Sequence, residues 1–236
     1  RNIDIIYFTD YKLSYKDIIQ SIGRGTRICN DKYLRIILPT NFNNEVEKEY
    51  SCSGTPVDCV KIAVNEILKR KPDLCVSGVN HGSNSSINVI YSGTMSAAVE
   101  AGIEGIPAIG FSLLDYSWDA NFEPIKSHIK KITLEVLKHG LPEGVILNVN
   151  FPKLAKEEIK GTKICRQAKA MWQEEFDKRT NPMGREYYWL TGTFVNEDKG
   201  EDTDEWALSQ GYISIVPTQF DLTAHHSIQQ LNTWNF

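Results

Sequence analysis

No stretch of the sequence reaches the roughly 18 consecutive apolar residues that a helix needs to cross a bilayer. Its opening, Arg1-Asn2-Ile3-Asp4, also lacks the apolar segment of a signal peptide. The expectation is therefore a soluble, cytoplasmic protein with no membrane partner. Cysteine is scarce: Cys29, Cys52, Cys59, Cys75 and Cys165 are odd in number and never in C-x-x-C spacing, which leaves small core residues or free thiols rather than a disulfide framework. Excess positive charge is missing as well. The 26 Lys and Arg against 30 Asp and Glu give a net charge of -4 without a basic stripe, which argues against a nucleic-acid duplex as partner. A hydrolase built on Ser53, Cys52 or His225-His226 finds no G-x-S-x-G elbow. Gly23-Arg-Gly25 lacks a third glycine and follows a helix-like stretch, Tyr15 to Ile22, so it reads as a loop and not a dinucleotide turn.

What is present is an alternation of short apolar runs with helical periodicities, in a chain of 236 residues that is 41% hydrophobic and so able to bury the core of one compact unit. Ile3 to Phe8 and Tyr33 to Leu38 are β-prone runs, the second ended by Pro39. Thr55-Pro56 marks a helix start, because Thr accepts from free backbone N–H groups, Pro suits the first turn and Asp58 complements the dipole. Val60, Ala63, Val64, Ile67 and Leu68 then share one face. Leu74 to Ser77 reads as a short buried strand, with a polar loop from Gly78 onward. A second helix is predicted from about Ser92 to Gly105, a strand over Ala108 to Ser112, a helix over Phe122 to Lys138 closed by Gly140, and a strand over Val145 to Val149.

This alternation predicts an α/β protein: residues 1–152 form a Rossmann-like three-layer core with a mostly parallel sheet, and ligands bind at the carboxyl ends of its strands. Residues 153–236 switch to aromatic, alternating segments, Glu186 to Thr191 and Gly211 to Pro217, which predict a β-rich extension of extended hairpins packed on that core. Trp172, Trp189 and Trp206 fall there, where aromatics serve core or subunit packing more often than exposed recognition. The acidic run Glu197 to Glu205 has its glycine misplaced for an EF-hand loop and is read as a solvated loop.

Two segments are dense in groups that bind hard cations and anions. Cys75-Val-Ser-Gly-Val-Asn80-His-Gly-Ser-Asn-Ser-Ser86 follows a strand, and Asn80 is its natural oxygen ligand for Mg²⁺ or Mn²⁺, whereas zinc would want His and Cys at ligand spacing. The same composition also makes an ordinary loop. Ser92-Gly93-Thr94 opens a helix, where free N–H groups and the positive end of the dipole face an incoming phosphate and two hydroxyls add donors. An ordinary N-cap is the other reading of those three residues.

Six motifs follow, in order, the pattern of a known family: Ser53-Gly-Thr-Pro-Val-Asp-Cys59, Pro72-Asp-Leu-Cys-Val-Ser-Gly-Val-Asn80-His-Gly, Tyr91-Ser-Gly-Thr-Met-Ser-Ala-Ala98, Leu147-Asn-Val-Asn150, Gly211-Tyr-Ile-Ser-Ile and Asp221-Leu-Thr-Ala-His225. From about Ser51 onward the chain resembles the SurE survival proteins, a family of 5′/3′-nucleotidases. The resemblance implies a divalent-metal phosphatase site acting on nucleoside monophosphates or similar small phosphate monoesters. It also implies a homodimer or homotetramer assembled partly through an exchanged C-terminal segment. By the same resemblance Asn80 is a metal ligand, Ser92, Gly93 and Thr94 contact phosphate, and Asp221 and His225 belong to a region associated with assembly and site organisation. A buried structural role is the alternative for His225.

The family opens with a strand leading into Asn-Asp-Asp-Gly. Aligning Ile5 to Lys12 with it places Thr9, Asp10, Tyr11 and Lys12 at those four positions. Asp10 is thus the one carboxylate carried over, as metal ligand and as nucleophile or general base. Asn44 falls near the family's serine ligand, across a hairpin shortened between Asn41 and Tyr50. Tyr11 and Lys12 leave a second reading open: a SurE-like phosphate-binding or assembly protein that keeps the fold without an intact metal site.

Overall fold

The structure, a computed structural model, describes residues 5–9, 34–39, 46–68, 70–117 and 119–235. Asp10, Tyr11, Lys12, the Tyr15 to Ile22 stretch, Gly23 to Gly25, Cys29 and Asn44 lie outside the described residues. The strands are β1 (Ile5–Thr9), β2 (Leu34–Pro39), β3 (Val46–Cys52), β4 (Leu74–His81), β5 (Ala108–Leu113), β6 (Val145–Phe151), β7 (Thr162–Ile164), β8 (Ala170–Thr180), β9 (Glu186–Asn196) and β10 (Ile213–Gln219). The α-helices are α1 (Pro56–Ile62), α2 (Gly93–Ile103), α3 (Lys126–His139), α4 (Asp204–Ser209) and α5 (His225–Leu231).

Eight strands make one sheet in the order β3-β2-β1-β4-β5-β6-β10-β7, and β8 pairs with β9 alone. The neighbours β1, β4, β5 and β6 run parallel, as the helix–strand alternation predicts. β2 and β3 extend one edge antiparallel, and β10 lies antiparallel to β6 and parallel to β7. The segment near Gly211 to Pro217, expected as part of a hairpin, therefore belongs to the main sheet, with Ile215 opposite Val149 and Pro217 opposite Leu147. Alternation of side chains specifies a strand but not its partner, and here the partner is more than sixty positions away in sequence.

Period-two burial on both faces of the sheet creates the three layers. Leu74, Val76, Ile109, Phe111, Leu113, Leu147, Val149 and Phe151 point to one face and pack with Ile125 and, from α3, Ile132 and Val136. The alternate positions Cys75, Ala108 and Ile146 meet Cys59 and Val60 of α1, Ala63 just beyond it, and Met95, Ala97, Ala98 and Ala101 of α2. Full burial of a side chain such as Phe111 or Phe151 stabilises the fold by about 1.5–3 kcal/mol. Gly110 lets α2 settle on the sheet, since a Cβ there would lie 2.3 Å from Met95 Sδ. Burial pushes the thiols of Cys59 and Cys75 up, that of Cys59 to about 12 with Cys52 beside it, so both behave as small apolar core residues.

Local chemistry sets the helix ends. Thr55 caps α1: its hydroxyl accepts the Asp58 N–H at 3.3 Å while the Asp58 carboxylate accepts the Thr55 N–H at 2.7 Å. The Thr55 hydroxyl, which donates to the Asp58 carboxylate at 2.7 Å, and then the Thr55 N–H hold that carboxyl below its usual range. The chain then widens into a π-helical turn over Ala63–Ile67, and the apolar stripe still reaches the core through Val64, Ile67 and Leu68. Gly140, at φ 72°, closes α3 in the left-handed region that favours glycine. Among the described residues no helix is long and apolar enough to cross a membrane.

The tryptophans divide among packing roles. Trp172 meets Phe194 edge-on at 5.5 Å between ring centres and donates through Nε1 to Asn88 Oδ1 at 2.8 Å. Arg179 lies over Trp189, and Trp206 packs against Cys165, Ala207 and Val216.

Candidate functional site

Asn80 stands at the carboxyl end of β4, where ligands of open α/β sheets bind. β4 runs on to His81 rather than ending at Ser77, because a bulge absorbs the sharp local geometry: Ser77 pairs with Gly110 and Asn80 with Ser112, so β4 carries one extra residue between them. Gly78 makes the bulge possible. Its φ is +113°, and a Cβ there would lie 2.4 Å from the Phe111 carbonyl oxygen. Beyond the bulge, Asn80 Nδ2 donates to the carbonyls of His81 and Gly82, both at 3.0 Å. With its nitrogen committed to the backbone, the Asn80 amide directs Oδ1 toward Thr94 Oγ1, 3.5 Å away.

Thr94 belongs to the start of α2. Ser92 is the N-cap, its hydroxyl oxygen accepting the Met95 N–H at 3.0 Å. The N–H groups of Gly93 and Thr94 lie in the first turn and so have no acceptor within the helix. Gly93 brings this turn against the start of α1, since a Cβ at Gly93 would lie 3.2 Å from Pro56 Cγ. An ion pair between Lys61 and the buried Glu100 joins the same two helices further along. Asn80 and Thr94 are thus brought together, with Ser92 and Gly93 in the same turn as Thr94. Asp10 lies outside the described residues; β1 ends at Thr9, and Phe8 of β1 pairs with Ser77 of β4.

Behind Asn80 stands a buried polar network that sequence reasoning missed. Asn84 donates its N–H to Asn150 Oδ1 at 2.9 Å and its side-chain Nδ2 to Ser112 Oγ at 2.7 Å. Asn148 Nδ2 donates to the Asn84 carbonyl at 2.8 Å, and Asn150 Nδ2 to Asn148 Oδ1 at 2.9 Å. All four side chains are buried. The signal was present: in Leu147-Asn-Val-Asn150 the apolar positions face α3 while the asparagines face the opposite side, so one sheet face turns polar where the site begins.

The acidic run also corrects the solvated-loop reading. Asp204 is fully buried, accepting the N–H groups of Ser86 at 2.8 Å and Ala168 at 2.9 Å. The Glu205 carboxylate accepts from the Ser85 hydroxyl, which is itself joined to that of Ser83. Burial pushes both carboxyls up, against the N–H donors at Asp204 and the Ser85 hydroxyl at Glu205 that favour the ionised forms. Asp198 is held far below the carboxylate range by Arg166, its partner at 2.6 Å. The run is therefore a clamp on residues 83–86 and on the stem of the β8–β9 hairpin.

His225 is exposed rather than buried, and its ring nitrogen lies 2.8 Å from Asp221 Oδ2. Hydrogen bonds from Thr223, then from His225, hold the Asp221 carboxyl at about 2. Among the described residues no hydrogen bond joins Ser53 or Cys52 to a histidine, and no group of three or more His, Cys, Asp or Glu side chains is placed to hold a metal ion. The donors that face one another at the site are amide and hydroxyl oxygens.

The model of the family described as "Survival protein SurE" matches residues 20–174. The chain belongs to the SurE family. A protein named 5'-nucleotidase SurE from Flavobacterium psychrophilum is 78% identical over 192 residues, covering 81% of this chain and 75% of that protein. The protein of the same name from Cytophaga hutchinsonii is 60% identical over 216 residues, or 91% of this chain and 83% of that one. The crystal structure of the SurE protein from Aquifex aeolicus matches with a TM-score of 0.73 at 30% identity, covering 97% of this chain and 98% of that one. The SurE fold thus agrees with the mixed, mostly parallel sheet and its two helical layers described above.

Proposed function

We propose that this SurE-family chain is a divalent-metal-dependent 5′-nucleotidase that hydrolyses nucleoside monophosphates or similar small phosphate monoesters to inorganic phosphate. The observation that carries the reading is the meeting of Asn80 Oδ1 with the start of α2, at 3.5 Å from Thr94 Oγ1. The free N–H groups of Gly93 and Thr94 and the hydroxyls of Ser92 and Thr94 would take the phosphoryl oxygens, where fixed donors stabilise the charge that develops as the ester bond breaks. Relatives named 5'-nucleotidase at 78% and 60% identity support the same chemistry.

The residues fit a hard cation. The Asn80 nitrogen is occupied by two carbonyls, which leaves its oxygen for a cation, and among the described residues the group that meets this oxygen is the Thr94 hydroxyl. Asn80 and Asp10 would hold Mg²⁺ or Mn²⁺, which when bound polarises the phosphoryl group and acidifies water. Asp10 would act as nucleophile or as general base. A homodimer or homotetramer is part of this reading, supported by exposed apolar side chains on the β8–β9 hairpin, Phe176 and Met183, and by Leu222 near the C-terminus.

The test is phosphate release from AMP with Mn²⁺, then with a chelator, then after Mn²⁺ is returned. Loss and recovery are expected, with turnover lowered about 10²–10³-fold in Thr94→Ala, the scale of removing one such donor. A rate indifferent to the chelator refutes the metal, and no release from any nucleoside monophosphate in Mn²⁺ refutes the nucleotidase.

A further inference from the structure

Beside this site stands an aromatic ring that neither the core nor the phosphate chemistry uses. Tyr116, in the turn after β5, is 71% exposed. Its hydroxyl oxygen accepts the Ser83 N–H at 3.0 Å, and its ring lies against Gly82, where a Cβ would fall 2.3 Å from Cε1. The Gly82 carbonyl in turn accepts from Asn80 Nδ2 at 3.0 Å. The ring is therefore held at its side by Gly82 and at its hydroxyl by Ser83, two and three residues along the chain from Asn80.

The turn that presents it is braced as well. Asp115, 5% exposed, accepts the Ser117 N–H at 2.9 Å, the Ser117 hydroxyl, and Lys153 Nζ at 2.9 Å. At the end of β4, His81 meets Phe122 edge-on, 4.9 Å between ring centres. Among the described residues no aromatic ring stacks on Tyr116. A ring held this firmly beside Asn80 keeps a face open to a ligand, and a flat base is a ligand such a face suits, because every base has a π-face.

We propose that Tyr116 is a specificity-determining residue on which the nucleobase stacks while the phosphate occupies Ser92-Gly93-Thr94. The inference rests on the nucleotidase reading and extends it to substrate choice. Stacking is tolerant of base identity, so Tyr116 favours nucleotides over phosphate esters that lack a base, and does not select one base from another.

The test compares the full chain with Tyr116→Ala and Tyr116→Trp on AMP and on ribose 5-phosphate, both in Mn²⁺. In Tyr116→Ala the ratio of KM for AMP to KM for ribose 5-phosphate should rise about 5- to 150-fold, the equivalent of about 1–3 kcal/mol of base–aromatic stacking at about 1.4 kcal/mol per tenfold. Tyr116→Trp should restore most of that ratio although it lacks the phenol oxygen that meets Ser83. Equal losses on both substrates would assign Tyr116 to loop bracing and overturn the proposal, as would no change on either. If the parent chain releases phosphate from ribose 5-phosphate but shows no lower KM for AMP, base stacking is refuted while phosphatase activity stands. If it releases phosphate from neither, the nucleotidase reading fails and takes this inference with it.

Discussion

Replacing Asp204 by alanine asks how the loop behind Asn80 is held. The carboxylate accepts the N–H of Ser86 at 2.8 Å, of Ala168 at 2.9 Å and of Glu205 at 2.8 Å. Ser86 and Ala168 are buried, so truncation leaves two buried donors without an acceptor. Each such donor costs about 1–3 kcal/mol, which gives about 2–6 kcal/mol for the pair. That is a large share of the roughly 5–15 kcal/mol that holds a folded domain. Asp204→Asn keeps the volume and one acceptor oxygen but turns an NH₂ toward an N–H, so its loss should fall between parent and alanine. The assay is urea unfolding followed by tryptophan fluorescence, with chain concentration fixed because assembly shifts apparent stability. The midpoint should fall at an unchanged m-value. A loss below about 1 kcal/mol for Asp204→Ala would show that the Ser86 and Ala168 N–H groups find other acceptors, and the clamp would be refuted.

Two further outcomes follow from the same geometry. Gly78→Ala forces a side chain into the left-handed region and sets its Cβ 2.4 Å from the Phe111 carbonyl, so the bulge must shift. The conformational part alone costs about 1–2 kcal/mol, and AMP turnover should fall with the melting temperature because Asn80 moves with the strand; a melt within 2 °C of the parent, on the scale of about 2–4 °C per kcal/mol, would contradict this. For Asp115, burial opposes ionisation, but the Ser117 and Lys153 hydrogen bonds outweigh it and hold the carboxyl at about 2 against an ordinary value near 3.8. A carboxyl whose folded value is depressed stabilises the fold above the ordinary value and loses that contribution as pH falls from 3.8 toward 2. Thermal melts of parent and Asp115→Asn should therefore differ most above pH 5 and converge as pH approaches 2; a gap that stays constant down to pH 2 would refute the assignment.

How far the sequence speaks for this site depends on where each partner lies. The strands at Leu74, Ala108 and Val145 and the cap at Thr55 were legible because an apolar run or a Thr-Pro pair carries its own signal within a few residues. The continuation of β4 to His81 was not, because Gly78 reads as a loop residue until Phe111 is placed against it, and the bulge depends on a strand 33 positions away. Asp204 was misread for a stronger reason. Its partners are backbone N–H groups, one of them 118 positions away, and a backbone donor leaves no mark in the sequence. An acidic residue among other acidic residues looks solvated unless something nearby demands an acceptor. Asn148 and Asn150 form the middle case: asparagine at alternate positions of an otherwise apolar strand states that one face is polar, although it does not name Asn84 and Ser112 as the reason. Asp10 carries the remaining weight of the proposed metal site, and it lies one residue past the end of β1, outside the described residues. The half of the proposed site at Asn80 and Thr94 therefore stands on geometry, while its carboxylate half, Asp10, stands on the family pattern. Paired Asp10→Asn and Asn80→Ala turnover measurements bear on those two halves separately.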